Sequence, residues 1–175
     1  MSALLALKRH ARGLLLLIGL ACLASVGAAL LAQHRFGMEP CPWCILQRIL
    51  FLAIAAVALL AAALPAGGFG PVPAVLSSLL VAGLGVAGGA AALYQHLVAS
   101  RLPSCDMTLA DRIISGLELD AWQPEVFEVR SSCADAAVSL LGVPFELWSF
   151  GLFALITVTT AGLVLAFLAP ESDNM

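Results

Sequence analysis

The chain has 175 residues, of which 62% are hydrophobic and 11% are charged, and its formal net charge is −3. A water-soluble domain of this size needs far more polar surface, so the composition indicates an integral membrane protein in a lipid bilayer. The eight Lys and Arg residues are scattered without forming a basic stripe, and no nucleic-acid partner is expected.

Four apolar blocks are long enough to span about 30 Å of hydrocarbon at about 1.5 Å per helical residue. They cover about 13–32, 45–64, 74–93 and 144–168. The first block exceeds the roughly 7–15 apolar residues of a signal peptide, so we interpret it as a transmembrane helix. The sequence predicts an all-α membrane protein, a single domain over 1–175. Its four-helix bundle carries two cysteine-bearing loops, at about 33–44 and 97–143, on one face.

The orientation is predicted from basic residues, which are enriched on cytoplasmic segments. The N-terminus carries Lys8, Arg9 and Arg12, whereas the middle connector and the tail have neither Lys nor Arg. The opposite face also carries arginines, so the count is not one-sided. Because the first helix usually sets the topology, we predict cytoplasmic termini and cysteine-bearing loops outside.

Two further segments carry structural signals. The third span contains several glycines among alanines, and small residues let membrane helices approach closely. These glycines are Gly83, Gly85, Gly88 and Gly89. In the long loop, Thr108–Leu117 places apolar residues at helical spacing, and Thr108 with Asp111 matches a capping pair. This helix either packs on its own loop or lies in the membrane interface.

Five cysteines are present, and one of them, Cys22, lies within the first span, where it is interpreted as a packing residue. The other four are predicted on one face, and they allow inert disulfides, a zinc site or redox-active pairs. Zinc is disfavoured because Cys105 and Cys133 are too far apart in sequence for a short-spaced ligand pair. The CxxC spacing of Cys41 and Cys44 is typical of thiol–disulfide exchange.

The residues around Cys44 support reactivity. Cys44 falls at the start of the second span, where unpaired backbone N–H groups stabilise a thiolate. Arg48 follows four positions later on the same helix face. An arginine in a membrane helix indicates either a functional site or a side chain that reaches the headgroups. A lipid-soluble quinone is the electron acceptor that best suits a dithiol in this position.

The motif PCPWCILQR, Pro40–Arg48, opens the second span, and Tyr94-Gln95-His96 ends the third. The long loop follows, with LDAWQPEVF upstream of Cys133. Together these features resemble the DsbB family of bacterial inner-membrane thiol:quinone oxidoreductases, over about 13–168. This chain departs from the family at Gln47, where members often carry an acidic residue.

The resemblance implies a function and a partner. Family members reoxidise DsbA, a periplasmic thioredoxin-fold protein, and pass the electrons to ubiquinone or menaquinone. By analogy, Cys105 forms the mixed disulfide with DsbA. Cys133 then attacks Cys41 and releases Cys44 as a thiolate.

The resemblance also implies a quinone site. Cys44 would reduce the quinone while Arg48 polarises its oxygen, and His96 matches a family position near the quinone. Gln33 and His34, at the outer end of the first span, are weaker candidates.

Two alternatives remain open. A membrane enzyme of the vitamin K epoxide reductase type also pairs loop cysteines with a CxxC, but its CxxC follows the loop pair. A non-enzymatic scaffold with disulfide-stapled loops would give Arg48 no function and would tolerate Cys44→Ser.

Overall fold

The computed structural model describes residues 2–64, 70–101 and 108–169, with side chains from Leu5 onward. In chain order its elements are α1 (Ser2–Phe36), α2 (Pro42–Ala63), α3 (Pro71–Leu97), a 3₁₀ helix (Ala99–Arg101), α4 (Leu109–Gly116), α5 (Leu119–Trp122), α6 (Pro124–Phe127), β1 (Ser139–Leu140), β2 (Val143–Pro144) and α7 (Phe145–Leu168). Helices α1, α2, α3 and α7 are long and apolar enough to cross a membrane. The predicted architecture of four membrane-spanning helices is confirmed.

The first connection is shorter than the loop expected at 33–44. Helix α1 continues to Phe36 and ends where Gly37 adopts a φ of 64°, a conformation that glycine tolerates at a helix C-terminus. Helix α2 begins at Pro42, because proline suits the first helical position. Only residues 37–41 therefore lie between the two helices, and they hold Cys41 against the end of α2.

The middle of the bundle is held by close approach of α3 to α7. A methyl group added at Gly88 would collide with the ring of Phe153, and one added at Gly85 would collide with Thr157. Phe153 also stacks on Phe51 of α2, with ring centroids 4.0 Å apart. The expectation that glycines bring helices together is correct here. It is wrong for Gly83, which has open space in front of it.

Helix α4 forms as the sequence predicts, with Thr108 and Asp111 in a reciprocal capping box. Ala110 and Ile114 are buried, and Ile114 clusters with residues of α2 and α6. The predicted apolar face is only partly buried, since Leu109 and Leu117 are exposed. The helix therefore packs on the end of the bundle through one side and leaves another apolar side uncovered.

The loop returns to α7 through a tight hairpin. Strands β1 and β2 pair antiparallel, with Leu140 opposite Val143. The two turn residues, Leu141 and Gly142, both have positive φ, as a two-residue hairpin turn requires. This hairpin leads directly into the first turn of α7, which carries Glu146.

Candidate active site

The CxxC motif forms the N-terminus of α2. Cys41 is the N-cap residue, and its sulfur accepts a hydrogen bond of 3.4 Å from the backbone N–H of Cys44. The two sulfurs are 2.9 Å apart, less than about 1 Å longer than a disulfide bond. Cys41 is fully buried, whereas Cys44 is partly exposed. At the start of the helix, the sulfur of Cys41 is therefore covered, and Cys44 is the more accessible of the two cysteines.

Cys133 lies against Cys41, although 92 residues separate them in the chain. The carbonyl of Pro40 accepts hydrogen bonds from the backbone N–H groups of Arg130 (3.0 Å) and Ser131 (3.3 Å), which tie the long loop to the CxxC segment. Hydrogen bonds with Cys133 and then Cys44, together with burial, raise the pKa of the Cys41 thiol above its ordinary value. A reduced Cys41 therefore stays protonated.

The structure thus brings three of the four predicted exchange cysteines to one end of the bundle, called here the cysteine end: Cys41, Cys44 and Cys133. The fourth, Cys105, lies outside the described residues. Cys22 is buried in the apolar core of the bundle and belongs to a different cluster of side chains from Cys41 and Cys133. Its position agrees with a packing role.

Two glutamines that the sequence analysis did not assign to the site contact Cys44 directly or through one another. The side-chain amide of Gln95 donates to the sulfur of Cys44 at 3.2 Å. The amide of Gln47 in turn donates to the carbonyl oxygen of Gln95 at 2.7 Å, which fixes the orientation of Gln95. An N–H donor at the sulfur stabilises a thiolate there. Both glutamines are buried. In the sequence, the signal that could have identified them is a polar amide within an apolar, membrane-spanning helix.

Arg48 is buried rather than extended toward the headgroups. Its Nη1 donates to the side-chain oxygen of Gln33 at 2.9 Å and to the carbonyl of Val126 at 3.0 Å. Gln33 also donates to the carbonyl of Glu125, at 3.4 Å. Both bonds from Arg48 use one nitrogen of a guanidinium that carries five N–H donors. The side chain is therefore fixed in place inside the protein beside the CxxC helix.

A cavity of about 270 Å³ lies at the cysteine end, mainly between α1, α2 and α7. Its walls are mostly apolar, from residues such as Val26, Ala29, Phe51 and Leu152. Its polar lining residues include Cys44, Gln47, Arg48, Gln95 and Glu146. Since a protein cavity of about 150 Å³ holds benzene, this one has room for a substituted quinone ring. A sulfur nucleophile and a guanidinium share its lining, so the donor set also suits a quinone.

His96 reaches the cavity only through another residue. Its Nδ1 lies 2.9 Å from Oε1 of Glu146, and Glu146, rather than His96, is among the described residues that line the cavity. His34 is exposed and lies 3.7 Å from a carboxylate oxygen of Glu125. Trp148 lines the cavity and donates from Nε1 to the carbonyl of Leu140 at 3.3 Å. Glu146 and Trp148 thus line the cavity, although the sequence analysis did not assign either residue to the site.

Comparison with known proteins agrees with this geometry. The family model described as "Disulfide bond formation protein DsbB" matches residues 11–163. A Disulfide bond formation protein B from Burkholderia thailandensis is 36% identical over 163 residues, covering 92% of this chain and 93% of the relative. Disulfide bond formation protein B 1 from Pseudomonas entomophila is 35% identical and covers 84% and 86%. The corresponding protein of Ralstonia nicotianae is 31% identical and covers 94% and 99%.

The match extends over nearly the whole chain and includes all four apolar helices, which together point to a multi-pass inner-membrane protein. A disulfide oxidoreductase is expected to have such an arrangement: one buried and one partly exposed thiol at a helix start, a third cysteine against the buried one, and an apolar cavity beside them. The chain belongs to the DsbB family of disulfide bond formation proteins.

Proposed function

We propose that this protein reoxidises a DsbA-type dithiol protein in the periplasm and passes the electrons to a membrane quinone, ubiquinone or menaquinone. The main support for the proposal is that three cysteines form an unbroken series of contacts that ends at the cavity. Cys133 contacts Cys41, Cys41 is 2.9 Å from Cys44, and Cys44 lines the apolar cavity. Electrons have an unbroken path of sulfur atoms from the long loop to a lipid-soluble acceptor.

The relay consists of thiol–disulfide exchanges. A thiolate of the reduced partner attacks the Cys105–Cys133 disulfide at Cys105 and releases Cys133. The second partner thiol then displaces Cys105 and leaves the partner oxidised. Cys133 attacks the sulfur of Cys41, which breaks the Cys41–Cys44 bond and releases Cys44 as a thiolate. The contact between Cys133 and Cys41 supports this order, because the attacking sulfur must approach Cys41 and not Cys44.

The Cys44 end of the relay meets the cavity. When bound, the quinone supplies a two-electron acceptor. Gln95 stabilises the Cys44 thiolate through its amide, and Arg48 is placed to donate to a quinone oxygen. Cys105 next attacks Cys133, which re-forms the loop disulfide and releases Cys41 as a thiol that takes up the proton of Cys105. Closing the Cys41–Cys44 bond then gives the two electrons of this dithiol to the acceptor, and both starting disulfides are restored.

The orientation follows from the same proposal. The cysteine end faces the oxidising periplasm, and both termini lie in the cytoplasm. The basic residues near the N-terminus support this assignment, since Lys and Arg concentrate on cytoplasmic segments. Labelling of cysteines introduced near each terminus with a membrane-impermeant reagent in intact cells tests it. Labelling of either terminus without permeabilisation contradicts it.

An anaerobic assay in detergent tests the function. Purified protein receives a reduced thioredoxin-fold donor and a quinone, and quinone absorbance reports reduction. We expect donor-dependent turnover in the wild type and in Cys22→Ala, the matched control for a buried cysteine outside the site. Absence of turnover with both ubiquinone and menaquinone analogues, by folded protein and active donor, contradicts the proposal.

A further inference from the structure

Glu146 is a buried carboxylate in a membrane-spanning helix, and the electron relay gives it no task. It lies in the first turn of α7, where unpaired backbone N–H groups favour a negative charge, and its side chain is 5% exposed. Burying a carboxylate is costly unless it is hydrogen-bonded or paired. An ionisable side chain buried within a membrane-spanning helix is by default a functional candidate. Glu146 also lines the cavity that contains Cys44.

The partner of Glu146 connects it to the outside of the bundle. His96 Nδ1 lies 2.9 Å from Glu146 Oε1, and the histidine side chain is 34% exposed. The two residues form a chain of two proton-carrying groups. Glu146 lines the cavity, and His96 is partly exposed on the surface of the bundle in the last turn of α3. Imidazole and carboxylate are the side chains most often used for proton transfer in proteins.

We propose that Glu146 delivers a proton to the quinone in the cavity and is reprotonated through His96. This inference rests on the proposed function, since it concerns the reduction of the same quinone. Glu146 is assigned as the proton donor at the reacting oxygen, and His96 as the group that returns a proton to Glu146 from water.

The stoichiometry of the relay calls for such a route. A quinone becomes a quinol by gaining two electrons and two protons. Cys44 is released as a thiolate, while Cys41 is a buried thiol, so the pair holds two electrons to donate but only one proton. Closing the disulfide releases the Cys41 proton, and the second proton must come from another group. A proton that enters from water through His96 and Glu146 completes the quinol.

The other ionisable groups at the cavity are less suited to this task. Arg48 keeps its proton at all accessible pH values and is held by hydrogen bonds. Glu39 lines the cavity but is exposed. Cys44 is the electron donor. Among the described residues that line the cavity, Glu146 is the buried group able to gain and release a proton.

The substitution Glu146→Gln tests the proposal, because glutamine keeps the size and the hydrogen bond to His96 but carries no transferable carboxyl proton. We expect quinone reduction to slow by about 10–100-fold, since proton transfer by a positioned side chain contributes about 10²–10⁴. The loss should grow as the pH rises, because proton donors in the medium then become scarcer. The matched control, Glu118→Gln on the exposed loop, should retain the wild-type rate and pH profile.

Two measurements separate proton delivery from a structural role. Reduction of the Cys41–Cys44 disulfide by the thiol donor without quinone should stay at the wild-type rate in Glu146→Gln, which also reports folding. In a Cys44→Ser background, infrared difference spectra on adding quinone should contain a carboxyl C=O band. That band should be missing when Glu146→Gln is added. His96→Asn should slow quinone reduction and leave the band present.

The outcomes distinguish this inference from the function on which it rests. A wild type with no donor-dependent quinone reduction overturns the proposed function. If the wild type turns over and Glu146→Gln matches it in rate and pH profile, or if the carboxyl band persists in Glu146→Gln, only the proton route is overturned. Equal slowing of the quinone-free thiol exchange would assign Glu146 a structural role and would also overturn the route.

Discussion

The middle of the bundle and its cysteine end are built in opposite ways. In the middle, α3 and α7 meet through Gly85 and Gly88, and Phe153 fills the space between them. The contacts there are apolar and depend on shape. Apolar burial does not itself bring helices together in lipid, so such close packing is the main source of stability for this part.

The cysteine end instead buries polar side chains. Of the seven buried polar or charged residues among those described, five lie there: Gln33, Gln47, Arg48, Gln95 and Glu146. Buried polar groups in a membrane protein are expensive and usually mark function. The comparison therefore separates a region that holds the bundle together from one that holds reactive groups in place. Substitutions in the two regions should affect different measurements.

The largest expected effect comes from the cysteines themselves. Cys44→Ser should reduce quinone reduction to background, both with a thiol-protein donor and with chemically prereduced protein. Cys133→Ser should lose only the donor-driven reaction, because the Cys41–Cys44 pair still faces the cavity. Stopped-flow absorbance of the quinone measures both reactions. Donor-driven turnover at the wild-type rate in Cys133→Ser would contradict the order of the relay.

Arg48→Ala should lower quinone reduction by about 100-fold, a size typical of removing a fixed donor to a developing oxyanion. Arg48→Lys should not restore the rate fully, because an ammonium lacks the planar donor fork that also engages Gln33. Steady-state kinetics with varied quinone concentration measures the effect. The control is Arg35→Ala, which removes an exposed positive charge from the last turn of α1, at the cysteine end of the bundle. This variant should behave as wild type.

Gln95→Leu should slow the reaction of prereduced protein with quinone by about 10-fold, because a hydrogen bond to a charged group contributes about 1.5–3 kcal/mol. Gln47→Leu should have a smaller effect, since Gln47 acts by orienting Gln95. Combining both substitutions should add little to Gln95→Leu alone. Single-turnover kinetics of all three variants checks this. Additive losses in the double variant would show that the glutamines act independently.

In the middle of the bundle, Gly88→Val should lower stability by about 1–3 kcal/mol, the usual cost of overpacking, because the added atoms meet the ring of Phe153. Activity per folded molecule should stay near wild type. Gly83→Val is the matched control, since its site is open, and it should be nearly neutral. Thermal unfolding in detergent measures the difference. Equal losses for both variants would mean that the α3–α7 approach does not depend on Gly88.

The sequence correctly predicts the features that depend on residues close to one another in the chain. Four apolar blocks give four helices, the CxxC pair stands at a helix start, and Arg48 follows one turn later on the same face. The capping box of Thr108 and Asp111 is equally local and is confirmed. Boundaries were less accurate, because α1 continues through polar residues until Gly37 interrupts it.

The rest depends on packing between distant segments. Gln95 is 51 residues from Cys44, and Glu146 is 50 residues from His96. Neither pair has a sequence signal, because each contact exists only after α3 packs against its neighbour. The contact of Cys133 with Cys41 likewise depends on how the loop backbone bonds to Pro40. The order of exchange came from the family resemblance, and it stays a proposal that the contact between Cys133 and Cys41 supports.

The most direct test of the central claim is disulfide mapping in a Cys44→Ser, Cys105→Ser double variant. Only Cys22, Cys41 and Cys133 remain in this protein. After mild oxidation, peptide mass spectrometry should find a Cys41–Cys133 disulfide and an unlinked Cys22, because the first two sulfurs are in contact and the third is in the core. If Cys41 and Cys133 stay unlinked in folded protein, the relay from the loop to the CxxC pair is contradicted.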